Sequence, residues 1–424
     1  MKTYLNPAAA EWPALCQRPV LDGDSVQASI AEIFKQVRAA GDQAVRIYTQ
    51  QFDNVRLRAI AISEAQLVRL AKDVPPGLKI AIDTAYGNIK AFHQMQTAGV
   101  TKVQTTPGVV CWREPRPIER VGLYVPGGSA PLFSTVLMLG IPARLAGCKE
   151  IVLCSPPNRA GGLEPAVAYA ALKCGIKSIY TVGGAQAIAA MTFGTESIPA
   201  VDKIFGPGNQ YVTAAKLYAQ TFGVAIDMPA GPSEVMVIAD GSARPAYAAA
   251  DLLSQAEHGP DSQVVLVTNS PDLAKKVSDE LDRQIQTLPR GDMARRALDN
   301  SFCAIFDSSG KMLAFANRYA PEHLILCVSK PRSAAKQINN AGSVFLGNYS
   351  PESAGDYASG TNHTLPTNGW ARTCSGLSVE SFCKYVTFQK LTAEGLRRLA
   401  PAITTMAEAE GLTAHARAVT IRER

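Results

Sequence analysis

From about residue 149 the chain alternates short apolar runs with helical patterns, and this alternation limits what it can fold into. "KEIVLCS", "IKSIYTVGG" and "DKIFGPG" read as buried strands. "EPAVAYAALKCG", "AQAIAAMTFG" and "NQYVTAAKLYAQTFG" read as helices. Apolar β-branched runs separated by helices make βαβ units, and hence parallel sheets. Glycine closes several of these helices, where a left-handed cap is needed. After a polar turn, "DMPAGPSE", the pattern resumes through "VMVIAD", "QVVLVTN", "FCAIFD", "EHLILCVS" and "SVFLGN". Two successive arrays point to two sheets rather than one. The front of the chain, to about Met95, reads as mostly helical. The tail after about Gly376 reads as helical and amphipathic.

The expected class is α/β, with two Rossmann-like parallel-sheet domains, a helical N-terminal region and a helical C-terminal tail. A chain of 424 residues has room for both domains. The expected division is an arm over 1–20, then a discontinuous α/β domain of 21–112 plus 234–375. A second α/β domain covers 113–233, and the tail covers 376–424.

Composition narrows the function classes. The formal charge of +6 is mild and no dense basic run occurs, so neither nucleic acid nor a membrane surface is an expected partner. The uncharged run from Val121 to Ala143 is broken by Pro126, Gly127, Gly128, Pro131 and Pro142, so it reads as a buried loop and helix rather than a membrane span. The first residues lack an apolar core, and the nine cysteines form no C-x-x-C. Both features suggest free thiols in a reducing cytoplasm.

Chemistry gathers around a few polar groups in turns. In "LLSQAEHGPDSQ", Gln255 and His258 are three residues apart, on one face of a helix that Gly259-Pro260 stops. "YAPEHLI" sets Glu322 beside His323 at the start of a strand, where an irregular first residue lets both reach one pocket. Such a pair can divide proton transfers, one activating water and the other taking a substrate proton. "SPESAGDYASGTNHTLPT" carries Asp356 and His363 in a long loop, and "AEGLTAHARAV" carries Glu410 and His415 around a helix stop. Gln255, His258, Asp356 and His415 together offer two imidazoles and two oxygen donors, a set that suits zinc. No H-E-x-x-H accompanies them, and each piece alone also reads as a cap or salt-bridged edge.

Three glycine turns, "LYVPGGSAP", "TVGGAQAIA" and "FGPGNQYV", have Tyr124, Gln186 and Asn209 beside them. Glycines at strand-to-helix turns let backbone amides approach a phosphate. None completes G-x-G-x-x-G, because Tyr211 stands where the third glycine belongs. At the carboxyl ends of parallel strands the three polar residues would line one crevice.

Taken together these stretches, with "VGLYVPGGSAPLFSTVLMLGIPA", "DMPAGPSE" and "AGSVFLG", resemble the histidinol dehydrogenase family over nearly the whole chain. The resemblance implies that Gln255, His258, Asp356 and His415 bind one zinc ion, with His415 supplied by the partner subunit of a homodimer with exchanged tails. It implies that Glu322 and His323 perform the acid–base chemistry. Ser233, Gln255, His258, His323, Asp356, His363, Glu410 and His415 would meet the substrate, and Tyr124, Gln186 and Asn209 would meet NAD. The implied reaction is oxidation of L-histidinol to L-histidine through the aldehyde, with two NAD used in turn. The nearest rival is oxidation of another small polar alcohol on the same scaffold. A zinc hydrolase would need the metal and Glu322 but no NAD.

Overall fold

The structure, a computed structural model, describes residues 1–18, 23–96, 99–127 and 132–423. Gly128 and Pro131, two of the expected breaks, lie outside the described residues.

Both expected sheets form. The first has six strands in the order Lys2–Leu5, Phe302–Ile305, Gln263–Thr268, Glu234–Ala239, His323–Cys327 and Ser343–Leu346, each pair parallel. The second runs Ala61–Ile62, Ser178–Thr181, Glu150–Ser155, Arg120–Tyr124, Lys203–Phe205 and Ala225–Ile226. It is parallel except at its Ala61–Ile62 edge. Central strands such as Glu234–Ala239 and Gln263–Thr268 are buried at every position. That is why their sequences read as continuous apolar runs, since helices cover both faces.

The helical front packs differently from the expected division, which joined 21–112 to 234–375. Its long helix, Gly23–Asp53, breaks at Gly41 (φ 48) and lies on Gly184–Phe193 and Gln210–Ala219 of the second unit. Ile30, Phe34 and Val45 share a core with Tyr124, Val152 and Ile188, and the helix Pro76–Gln94 packs on Phe133–Ala146. A sequence shows which helix face is apolar, but not which sheet that face covers. Here the covered sheet is the one the chain enters next, in keeping with the tendency of consecutive elements to be neighbours.

The tail also differs from a purely helical expectation. Cys383–Leu391 is a strand, antiparallel to Val109–Pro117, which in turn pairs with Lys102–Thr106. This three-stranded sheet is largely solvated, so the tail strand Cys383–Leu391 carries no continuous apolar run to reveal it. The helices Ala393–Ala409 and Thr413–Thr420 pack mainly on each other, leaving Met406, Leu412 and Ile421 exposed. Among the described residues no helix is long and apolar enough to cross a membrane. The cysteines are unpaired thiols.

Two glycines allow close backbone approaches, Gly206 within the second unit and Gly231 where the segment leading to the first sheet meets that unit. Gly206 (φ 128) and Gly231 (φ 114) adopt backbone that favours glycine, and a Cβ on either would collide with a carbonyl, of Tyr124 or Gly208 respectively. The crossover between the sheets therefore touches the Pro207–Asn209 turn.

Candidate active site

A cavity of about 230 Å³ opens at this junction. It joins opposite edges of the two sheets. Pro126 and Asn209 come from beyond the carboxyl ends of second-sheet strands, whereas Ser233, Ser262, Glu322 and His323 stand at the amino ends of first-sheet strands. Gln255 occupies the last turn of the helix Pro245–Ala256, and His258 follows its end. Asp356 lies in the short helix Glu352–Tyr357, with His363 in the loop beyond. The fold thus gathers Asn209, Ser233, Gln255, His258, Glu322, His323, Asp356 and His363 around one cavity.

Four expected site residues lie elsewhere. Glu410 and His415 are exposed on the tail and do not line this cavity. Tyr124 and Gln186 are buried near the start of the helix Gly184–Phe193, where the Tyr124 hydroxyl accepts a hydrogen bond from Gly184 N at 3.1 Å. Neither lines this cavity, whereas Asn209 does. Asn209 itself caps the helix Gln210–Ala219, its side-chain oxygen accepting from Val212 N at 3.0 Å. Its amide NH₂ is left for the cavity.

The Glu322–His323 pair sits in a dense acidic setting. His323 Nδ1 is 3.2 Å from the Glu234 carbonyl, 3.6 Å from Glu322 Oε2 and 3.7 Å from Glu352 Oε1, while Nε2 is 3.5 Å from Asp356 Oδ1. Burial alone would discharge the imidazole, but these carboxylates outweigh it and hold its pKa well above the usual value. Burial pushes the Glu322 carboxyl up to about 8, against the pull of His323. Burial also opposes charge on Asp356, yet contact with His323 keeps its pKa below the ordinary range. Two adjacent carboxyls are thus driven in opposite directions, as acid–base sites require.

Behind the pair stands a buried support that the sequence did not disclose. Arg18 of the N-terminal arm grips Glu234 through two hydrogen bonds, Nε to Oε2 at 2.7 Å and Nη2 to Oε1 at 2.9 Å. Its guanidinium also lies 3.5 Å from the Tyr319 ring centroid. Glu234 N donates to Glu322 Oε2 at 2.9 Å, so the arm reaches the candidate base through one residue. Glu352 was missed as well. Nothing in "SPESAG" marks it, because only the fold carries it beside His323.

The donor groups fit a divalent metal. Both amide atoms of Gln255 are buried without a hydrogen-bond partner, which costs about 1–3 kcal/mol for each unmade bond unless something fills the role. Burial holds His258 below its usual pKa, leaving the neutral imidazole that a metal needs. His323, Glu352 and Asp356 also bring donor atoms within 4.8 Å of one another. Gln255, His258 and Asp356 face the same cavity and suit zinc by type.

The family model described as histidinol dehydrogenase matches residues 16–423. A histidinol dehydrogenase of Bacteroides fragilis is 52% identical, covering 100% of this chain and 99% of the relative. That of Aliivibrio fischeri is 54% identical, covering 100% and 96%. The crystal structure of histidinol dehydrogenase from Elizabethkingia anophelis superposes with a TM-score of 0.96 at 54% identity, covering 100% of this chain and 98% of that one. The chain belongs to the histidinol dehydrogenase family.

Proposed function

We propose that this protein oxidises L-histidinol to L-histidine in two steps at one carbon, each transferring a hydride to NAD, with one zinc ion per subunit. The observation that carries the reading is the single cavity that gathers Glu322 and His323 with the zinc-type donors Gln255, His258 and Asp356. NAD supplies the hydride acceptor when bound. Zinc, when bound, supplies a fixed positive charge that anchors the substrate nitrogens and opposes a proton on His323.

This chain's own groups perform the proton work. In the first oxidation His323 takes the hydroxyl proton as hydride leaves the carbinol carbon, giving the aldehyde. Glu322 then removes a proton from water as it attacks the aldehyde, and the resulting hydrate loses the second hydride. Ser233 and His363, which both line the cavity, would orient the substrate, with His363 held by its Nδ1 contact to the Asp356 carbonyl at 2.9 Å. Glu410 and His415 would complete a neighbouring subunit's site through exchanged tails. The exposed tail helices, packed mainly on each other, support that reading. The protein would work in the cytoplasm.

The test is NADH formation from purified protein, L-histidinol and NAD, before and after chelation. Two NADH per histidinol, lost on chelation and restored by zinc, are expected. No NADH from zinc-loaded protein would reject histidinol and favour another small polar alcohol.

A further inference from the structure

Glu322 and His323 are held by a neighbour that takes no part in the proton transfers. The strands Glu234–Ala239 and His323–Cys327 pair in parallel with Val235 opposite His323, so Glu234 and Glu322 stand side by side at their amino ends. Each grips the other. Glu234 N donates to Glu322 Oε2, and Glu322 N donates to Glu234 Oε1 at 3.3 Å. The Glu234 carbonyl also takes His323 Nδ1 as its donor, at 3.2 Å. One residue thus sets the direction of both side chains. It ties down one oxygen of Glu322 and leaves the other for water in the cavity. It fixes the proton of His323 on Nδ1 and leaves Nε2 for the substrate.

Two carboxyl groups side by side repel each other, and Glu234 is almost wholly buried. Left alone, it would turn away or take up a proton. Arg18 prevents both. Besides its two bonds to Glu234, its Nη2 donates to the Tyr319 carbonyl at 2.8 Å and its Nη1 to that of Cys16 at 2.7 Å. Tyr319 ends the helix Ser309–Tyr319, and Ala320 after it is left-handed, with φ 54. Arg18 therefore fixes Glu234 on one side. On the other it fixes the turn that delivers Glu322 three residues later.

We infer that Arg18 and Glu234 are positioning residues of the reaction: the planar fork of Arg18 holds Glu234 where its backbone aims Glu322 and His323, and so sets the turnover rate of both oxidations. The inference rests on the function proposed above and adds to it the residues that set its geometry. A cation needed only to neutralise Glu234 could be a lysine. Aiming needs the fork, because one ammonium cannot bond both Glu234 oxygens and the Tyr319 carbonyl in a single plane.

The test is Arg18→Lys in the zinc-loaded, full-length protein, with alcohol and aldehyde oxidation measured separately and kcat counted per zinc-loaded site. Both kcat values should fall about 10- to 100-fold, the cost of a small misplacement of a reacting group, while KM and the affinities for NAD and zinc stay within about twofold. Unchanged kcat per loaded site, with only a lower melting temperature, would overturn the inference by leaving Arg18 a purely structural role. In a Glu322→Gln background the same change should cost aldehyde oxidation much less, since the group to be aimed is gone. An equal factor in both backgrounds is equally fatal. Should Arg18→Lys not fold, Glu234→Asp keeps the charge but draws the carboxylate back by a methylene, and it should show the same split; full kcat there also overturns the inference. Full kcat in a variant beside an active wild type removes the inference alone, whereas a wild type that yields no NADH from histidinol removes the proposed function.

Discussion

The two sheets meet the cavity with opposite ends, and the difference accounts for their division of labour. The second sheet presents carboxyl ends, glycine turns and the starts of helices such as Gln210–Ala219, where free backbone amides favour anions. The first presents amino ends of strands and the finish of the helix Pro245–Ala256, whose last turn carries Gln255. Free carbonyls there favour cations, and Glu322, Glu352 and Asp356 add carboxyl groups. On the function proposed above, one unit would take the phosphate-bearing cofactor and the other the metal and a substrate rich in basic nitrogen.

The largest break in that contrast should come from Glu322→Gln. Aldehyde oxidation should fall by about 10²–10⁴ while alcohol oxidation falls far less, measured with each substrate separately. Equal losses would dissolve the division between Glu322 and His323. Arg18→Met leaves the Glu234 charge buried without its partner and should cost about 3–5 kcal/mol in denaturant unfolding. A near-neutral result would mean that the arm does not hold the amino-edge site together.

Gln255→Ala should weaken zinc binding by about 10² in a chelator competition while NAD titration stays unchanged. If both affinities fall together, the two edges are not independent. The pH profile sharpens the same point. Because burial raises the Glu322 carboxyl to about 8, the base form is scarce below that value, and aldehyde oxidation should climb about tenfold per pH unit up to it. The climb should vanish in Glu322→Gln. The sign for folding is opposite: a raised carboxyl lends stability in the acid range that is lost as pH rises through about 8. The smallest effect belongs to the carboxyl edge. Asn209→Ala should cost about 1 kcal/mol through the lost cap, with weaker NAD binding and unchanged zinc affinity.

The sequence by itself determined the α/β class, because a strand buried on both faces is apolar along its middle, as Val235–Ala239 and Val264–Val267 are. It also marked Gln255 with His258 and Glu322 with His323 as candidates, since each pair is local in the chain. Distance in sequence hid the rest. Arg18 reaches Glu234 across 216 positions, and Glu352 stands beside His323 through a loop whose composition gives no hint of it. The solvated strand Cys383–Leu391 had no apolar run to betray it. Which sheet the N-terminal helices cover was equally hidden. Side-chain periodicity records that a face is buried, whereas the identity of its partner is a long-range packing choice. Only the tertiary structure decided that the amino edge of one sheet would face the carboxyl edge of the other.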